Sequence, residues 1–133
     1  GMRELIRFGD LGVEDINGTV ITTRSFLAQQ RDTAMRFMRA FTRGMHRYRT
    51  DKEYSKRILG KYGKITDDEI LEGTWQDYAP TLQKSPRPSL RAIQFLIENQ
   101  FQSKKPLPKP EQFVDTSLAD QLEKIGFVDS VFK

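Results

Sequence analysis

RFMRAFTRGMHRYR, residues 36–49, sets arginine at 36, 39, 43, 47 and 49 among Phe37, Met38, Phe41, Met45 and Tyr48. Extended back to Ala34, the apolar members Ala34, Phe37, Met38, Phe41, Met45 and Tyr48 recur every three or four residues. At about 100° per residue they fall within an arc of roughly 100°, which predicts a helix with one buried face. Arg36, Arg39, Arg43 and Arg47 cluster within roughly 80° on nearly the opposite side, so burying the apolar arc turns them outward. The basic arc itself contains no aromatic residue to stack a base, and no second helix completes a helix-turn-helix. The arginines therefore read as the solvated side of a packed helix.

Outward from this helix the period remains helical. Thr50 and Glu53 form a capping box for a second helix with inner face Tyr54, Ile58, Leu59 and Tyr62, stopped at Gly63. Thr66 and Glu69 repeat the box, and Ile65 and Ile70 take the two positions of a hydrophobic staple. Ile70, Leu71, Trp75 and Tyr78 would then face inward until Pro80 closes the segment. Ser89 caps a fourth helix along Leu90, Ile93, Leu96, Ile97 and Phe101. KKPLPKP, residues 104–110, predicts an extended polyproline-like strap. A last helix starts at Asp115 or Ser117 and stops at Gly126, with Phe127 touching Leu122 in a Schellman arrangement.

Strand signals occur only before residue 25. RELIRF (3–8) and GTVITT (18–23) carry β-branched and aromatic residues, punctuated by Gly9, Gly12 and Asn17-Gly18. The expected fold is thus mostly α with one or two short N-terminal strands, in a single domain over residues 1–133. Its strands lie at about 3–23 and its helical part at about 25–129. The length of 133 residues suits one core. Nine Phe, four Tyr and one Trp exclude a disordered chain despite a mean hydropathy of -0.62. No apolar run reaches the roughly 20 residues of a membrane span. A net charge of +4 permits attraction to polyanions without identifying a partner. The absence of cysteine removes disulfides and thiolate metal sites.

Catalytic signals are few. His46 is the sole histidine and has no cysteine to join it in a metal site. Asp67, Asp68 and Glu69 sit where a helix N-terminus favours negative charge, so capping accounts for them. GKYGK (60–64) lacks the spacing of a phosphate loop, and no serine or threonine has the context of a nucleophile elbow. Asn17-Gly18-Thr19 reads as a turn ahead of a glycosylation acceptor. No enzymatic activity, metal or cofactor is expected.

Three blocks taken in order resemble a known family. They are residues 9–80, PRPSLRAIQFLIE, and PEQFVDTSLADQLEKIGF. Arg31, Asp32, Thr33, Arg36, Phe37 and Ala40 match the helix pattern R-D-T-x-x-R-F-x-x-A. Phe113, Val114, Asp115, Ser117, Leu122, Glu123, Lys124, Gly126 and Phe127 match the closing pattern F-V-D-x-S-x-x-x-x-L-E-K-x-G-F. From about Glu4 to Phe127 the chain resembles the C-terminal part of ABC-importer periplasmic solute-binding proteins of the nitrate/sulfonate/taurine and thiamine-precursor (hydroxymethylpyrimidine) class.

The resemblance implies a fragment of a two-lobed α/β fold, crossing between lobes at about residues 10–22, with a small organic or anionic solute held between the lobes. Carried over residue by residue, it implies Asp15, Asn17 and Thr19 as solute contacts, although the aromatic or proline common in the family near Asp15 is missing. It also implies a periplasmic location. Gly1 before Met2 has the form of a cleaved-tag scar and no signal-peptide pattern follows, so with Met2 as the encoded start the expected location is the cytoplasm. Helices shaped to cover a parallel sheet would leave apolar faces open without it. The expected partners are then an upstream fragment of the same fold or a second copy of the chain. The alternative function is a basic helical module that binds nucleic acid through Arg36, Arg39, Arg43 and Arg47; nucleic acid is not the expected partner.

Overall fold

The computed structural model describes Leu5, residues 18–100 and residues 106–133. Among the described residues there are seven α-helices and no strand: α1 (Arg24–Gln29), α2 (Arg31–Thr50), α3 (Lys52–Gly63), α4 (Asp68–Tyr78), α5 (Leu90–Gln100), α6 (Ser117–Lys124) and α7 (Phe127–Val131). The mostly helical expectation holds for these residues. The second expected strand does not form: residues 18–23 are exposed and belong to no sheet. β-branched composition reports a fit to a pleated, half-buried surface, and it cannot make a strand where no partner pairs with it. RELIRF, apart from Leu5, lies outside the described residues.

The chain divides into two compact units, one of Arg24–Pro86 with Ser117–Lys133, the other of Arg87–Thr116 with the residues up to Thr23. In the first unit the main core lies where α6 and α7 meet α2. Leu118, Ala119 and Leu122 are the buried residues of α6, and Leu118 and Leu122, with Val128 of α7, cluster with Ala34, Met35 and Met38 of α2. Leu27 of α1 and the rings of Phe127 and Phe132 pack around this cluster. Leu122 is fully buried. Burying a leucine side chain contributes about 1.5–3 kcal/mol, so Leu118 and Leu122 together offset much of the cost of ordering an eight-residue helix that would be unstable alone.

Gly126 makes the junction between α6 and α7. Its φ of 69° is left-handed, and its N–H donates to the Glu123 carbonyl at 2.9 Å, one of the two bonds of a Schellman stop. The predicted stop is therefore in place, but the chain does not end its helical path there. It restarts at once as α7, which carries Phe127 and Val128 back onto the core.

The other half of this unit is the α3–α4 hairpin. Neither predicted capping box forms; each helix is instead capped by the single aspartate one residue later, with Tyr54 and Ile70 where the box would need Glu or Gln. Asp51, not Thr50, caps α3 by accepting from the Tyr54 N–H at 3.0 Å, while Thr50 belongs to α2 and donates to the His46 carbonyl. Asp67, not Thr66, caps α4 by accepting from the N–H groups of Glu69 and Ile70 at 2.9 and 3.2 Å. In each case an aspartate follows the threonine, and a carboxylate is favoured by the helix dipole where a hydroxyl gains little. The inner faces turn with the caps. On α3 the buried residues are Ser55 and Lys56, with Tyr62 exposed; on α4 Leu71 is buried and Ile70 and Tyr78 lie outside. At the end of α3 the left-handed residue is Lys64 (φ 54°), one beyond the expected Gly63, and its N–H donates to the Gly60 carbonyl. Gly60 permits the fold-back: a Cβ there would stand 3.0 Å from the Ile65 carbonyl oxygen.

In the second unit Ser89 caps α5 as predicted, its Oγ accepting from the Ala92 N–H at 3.2 Å. Ala92 and Ile97 are buried, and α5 packs against a single 3-10 turn at Pro110–Gln112. Phe101 is outside the described residues. Residues 106–109 are non-helical, with Lys109 in polyproline geometry (φ -80°, ψ 142°), so the strap runs to Lys109 and Pro110 opens the turn.

Candidate functional site

The surface of α2 collects most of the chemistry that the sequence offers. Its 20 residues span about 30 Å at 1.5 Å per residue, long enough to present three strips along its length. The first is the core strip of Ala34, Met35, Met38 and Thr42. Thr42 is fully buried, and its hydroxyl donates to the Met38 carbonyl at 2.8 Å, so the polar atom is satisfied within its own helix.

This strip is rotated from the predicted apolar arc. Of the six residues expected inside, only Ala34 and Met38 are buried; Met45 and Tyr48 are half-buried, and Phe37 and Phe41 are exposed at 53% and 38%. The two rings lie nearly parallel, 14° apart in tilt with centroids at 6.2 Å. Next to them Ala40 is exposed and Gly44 has open space where a side chain would be. Phe37, Ala40, Phe41 and Gly44 thus form a second strip, aromatic and small, facing away from the core. α2 has two apolar sides, and α6 and α7 occupy the one centred on Met38.

The third strip is arginine, outward as predicted, but its guanidinium groups are not simply solvated. Arg39 and Arg43 both lie over the ring of Phe127, with guanidinium carbons 5.8 and 5.3 Å from its centroid. Arg47 lies 3.6 Å over Tyr54 and makes an ion pair with Asp51 at 3.4 Å, while Arg36 donates to Thr33 at 3.3 Å. Near the C-terminal end of α2, Arg49 donates to the Leu82 carbonyl at 3.0 Å and lies over Phe132, which also meets His46 edge-on at 5.1 Å. The aromatic partners absent from the basic arc are supplied by α3 and α7. Phe127 and Phe132 stand more than eighty residues along the chain from Arg39, Arg43 and His46, beyond the reach of any spacing rule.

The corner where α2, α3 and α4 converge is closed by polar contacts. The Tyr48 carbonyl, one of the unpaired acceptors at the end of a helix, accepts from Trp75 Nε1 at 2.7 Å and shares the Ser55 hydroxyl, at 3.1 Å, with the Asp51 carbonyl, at 2.8 Å. Burial, with Tyr78 adding to it, pushes the Tyr48 hydroxyl above the usual tyrosine range. Between α3 and α4, Glu72 receives Lys52 at 3.1 Å, Lys56 at 3.2 Å and Gln76 at 2.9 Å. Lys56 also reaches Asp68 at 2.8 Å. Those hydrogen bonds hold the Glu72 carboxyl below the usual range, and the bond to Asp68, supported by Glu72, raises Lys56. Asp67, Asp68 and Glu69 thus serve as cap, ion-pair partner and first-turn charge. No group of three His, Cys, Asp or Glu able to hold a metal occurs among the described residues.

Of the solute contacts that the resemblance implies, Asp15 and Asn17 lie outside the described residues. Thr19 is exposed in an irregular segment. Among the described residues no helix is long and apolar enough to cross a membrane. Set against protein-family models, curated proteins and solved structures, the chain finds no match in any of the three.

Proposed function

We propose that the chain supplies the C-terminal part of a non-catalytic solute-binding component of an ABC importer, for a small organic or anionic solute. The observation that carries this reading is the strip of Phe37, Ala40, Phe41 and Gly44. A helix with one side sunk in its own core and a second side left aromatic and open is suited to lie between two layers. The open side is the one a sheet would cover in the two-lobed fold that the sequence resembles. The aromatic pair is also the face through which a second copy, or a separate piece of the same fold, would attach. Asp15, Asn17 and Thr19 are the proposed solute contacts.

A thermal-shift screen with nitrate, sulfonates, pyrimidines and aromatic acids tests the reading. A ligand at a hundredfold excess over its Kd adds about 2.7 kcal/mol of stability, a shift of several degrees in a domain of this size. Silence across the whole set would sink the proposal. The nucleic-acid alternative has less support, because Arg47 is already paired with Asp51 and Arg36 donates to Thr33, so the four arginines do not form one open row. Binding of duplex or single-stranded nucleic acid with a steep salt slope would favour it instead.

A further inference from the structure

We infer that Arg39 and Arg43, held together on the ring of Phe127, form a binding site for a compact tetrahedral oxyanion such as inorganic phosphate or a phosphomonoester. The inference is independent of the solute-binding reading and uses a different side of α2.

Three features of the geometry point to this class of ligand. Both guanidinium carbons lie within 6 Å of the same ring centroid, so one ring has two positive charges beside it. A guanidinium that lies beside a ring without donating to the protein keeps its edge of N–H donors available, and that edge fits tetrahedral oxyanions in a two-pronged manner. Among the described residues neither group donates a hydrogen bond to the protein, and neither has a carboxylate within 4 Å. Their neighbours differ on this point. Arg47 has Asp51, and Arg49 has the Leu82 carbonyl. Two cations gathered without a counter-charge repel one another, and a doubly charged anion across both edges removes the repulsion.

The platform is rigid where it needs to be. Phe127 follows the left-handed Gly126 and precedes the buried Val128, and its ring packs against the core cluster. The spacing i, i+4 on α2 places the two arginine stems about 5–6 Å apart at Cβ, close enough for one tetrahedral anion to span their tips. Contact with the ring narrows the positions open to the two guanidinium groups, which lowers the ordering cost of binding. Phe127 is a positioning residue in this scheme, and Arg39 and Arg43 are the ligand contacts. Arg36, one turn earlier, donates to Thr33 and borders the site.

The test is a titration of the full chain with inorganic phosphate at constant pH and ionic strength, followed through the arginine Nε–H signals by NMR. The expected result is a saturable shift confined to Arg39 and Arg43. F127L keeps apolar bulk but removes the ring, and R39K/R43K keeps the charge but removes the planar fork. Each should weaken phosphate binding at least about fivefold. If F127L fails to fold, R39K/R43K decides. A shift that grows linearly and equally at all arginines, or variants that titrate like the wild type, would overturn the site. A short oligothymidylate is the second arm. Response to the oligonucleotide alone, spread over Arg36 and Arg47, would also overturn it, since the ligand would then be a polyanion.

Discussion

Lys64 and Gly126 occupy the same left-handed region of backbone conformation, with φ of 54° and 69°, but only the second is a glycine. An L-residue there places Cβ against the following carbonyl at a cost of about 1–2 kcal/mol. Replacing Lys64 by glycine should therefore stabilise the chain by up to about 1 kcal/mol, and Gly126→Ala should destabilise it by a similar amount. The midpoint of urea unfolding for the two variants checks both signs; equal midpoints would contradict the assignment. Residue-scale reading from the sequence was accurate at Gly126 and Ser89, where one residue type has one reason to be present. It slipped by one at Thr50 and Thr66 for a single cause. Both threonines match the box pattern, and both are followed by an aspartate that competes for the same N–H groups with the advantage of charge. At the end of α3 Gly63 draws the eye, yet the left-handed turn falls on the lysine after it.

The α3–α4 hairpin depends on a charge cluster whose pH response follows from its shifted groups. Glu72 has its carboxyl lowered by hydrogen bonds from Lys52, Lys56 and Gln76. Its contribution is present above the carboxyl's unfolded value and is lost as pH falls through the lower folded value. Lys56 is raised, chiefly by its bond to Asp68. Its contribution is complete below the unfolded lysine value and disappears as pH rises through the higher folded one. The hairpin is thus expected to loosen in acid and again in strong alkali, with α2, α6 and α7 keeping their packing between. Glu72→Gln should flatten the acid limb, as followed by amide hydrogen exchange in α4. An unchanged acid limb in that variant would place the response elsewhere. At this scale the existence of every long helix was legible, since three- and four-residue spacing survives in any context. Which side each helix buries was not. α2 is apolar at Phe37 and Phe41 as well as at Met35 and Met38, and only the arrival of α6 and α7 chooses between them.

Across the whole molecule, the open aromatic strip on α2 predicts self-association of the chain on its own. Phe37 and Phe41 are rings with roughly half their surface in water, beside residues too small to shield them. Exposed apolar surface of this kind seeks cover. Sedimentation should show weight-average mass rising with concentration, and Phe37→Ser with Phe41→Ser should abolish the rise without lowering the melting temperature. A clean monomer in the parent chain would mean that the strip is tolerated as it stands. The candidate sites differ in legibility for a physical reason. The arginine row was visible because it lies within one helix. The ring that organises two of its members comes from α7, and no local pattern announces a contact between residues so far apart.

The Tyr48 carbonyl links three helices through a main-chain atom, which no substitution at position 48 can delete. Because the chain contains one tryptophan and its indole N–H is bound to that oxygen, intrinsic fluorescence becomes a local instrument. Water entering the corner between α2, α3 and α4 would shift the emission of Trp75 to the red, while fraying at α7 would leave it unchanged. Unfolding followed at once by fluorescence and by circular dichroism would then resolve the order in which the two ends of the first unit come apart, with no label added.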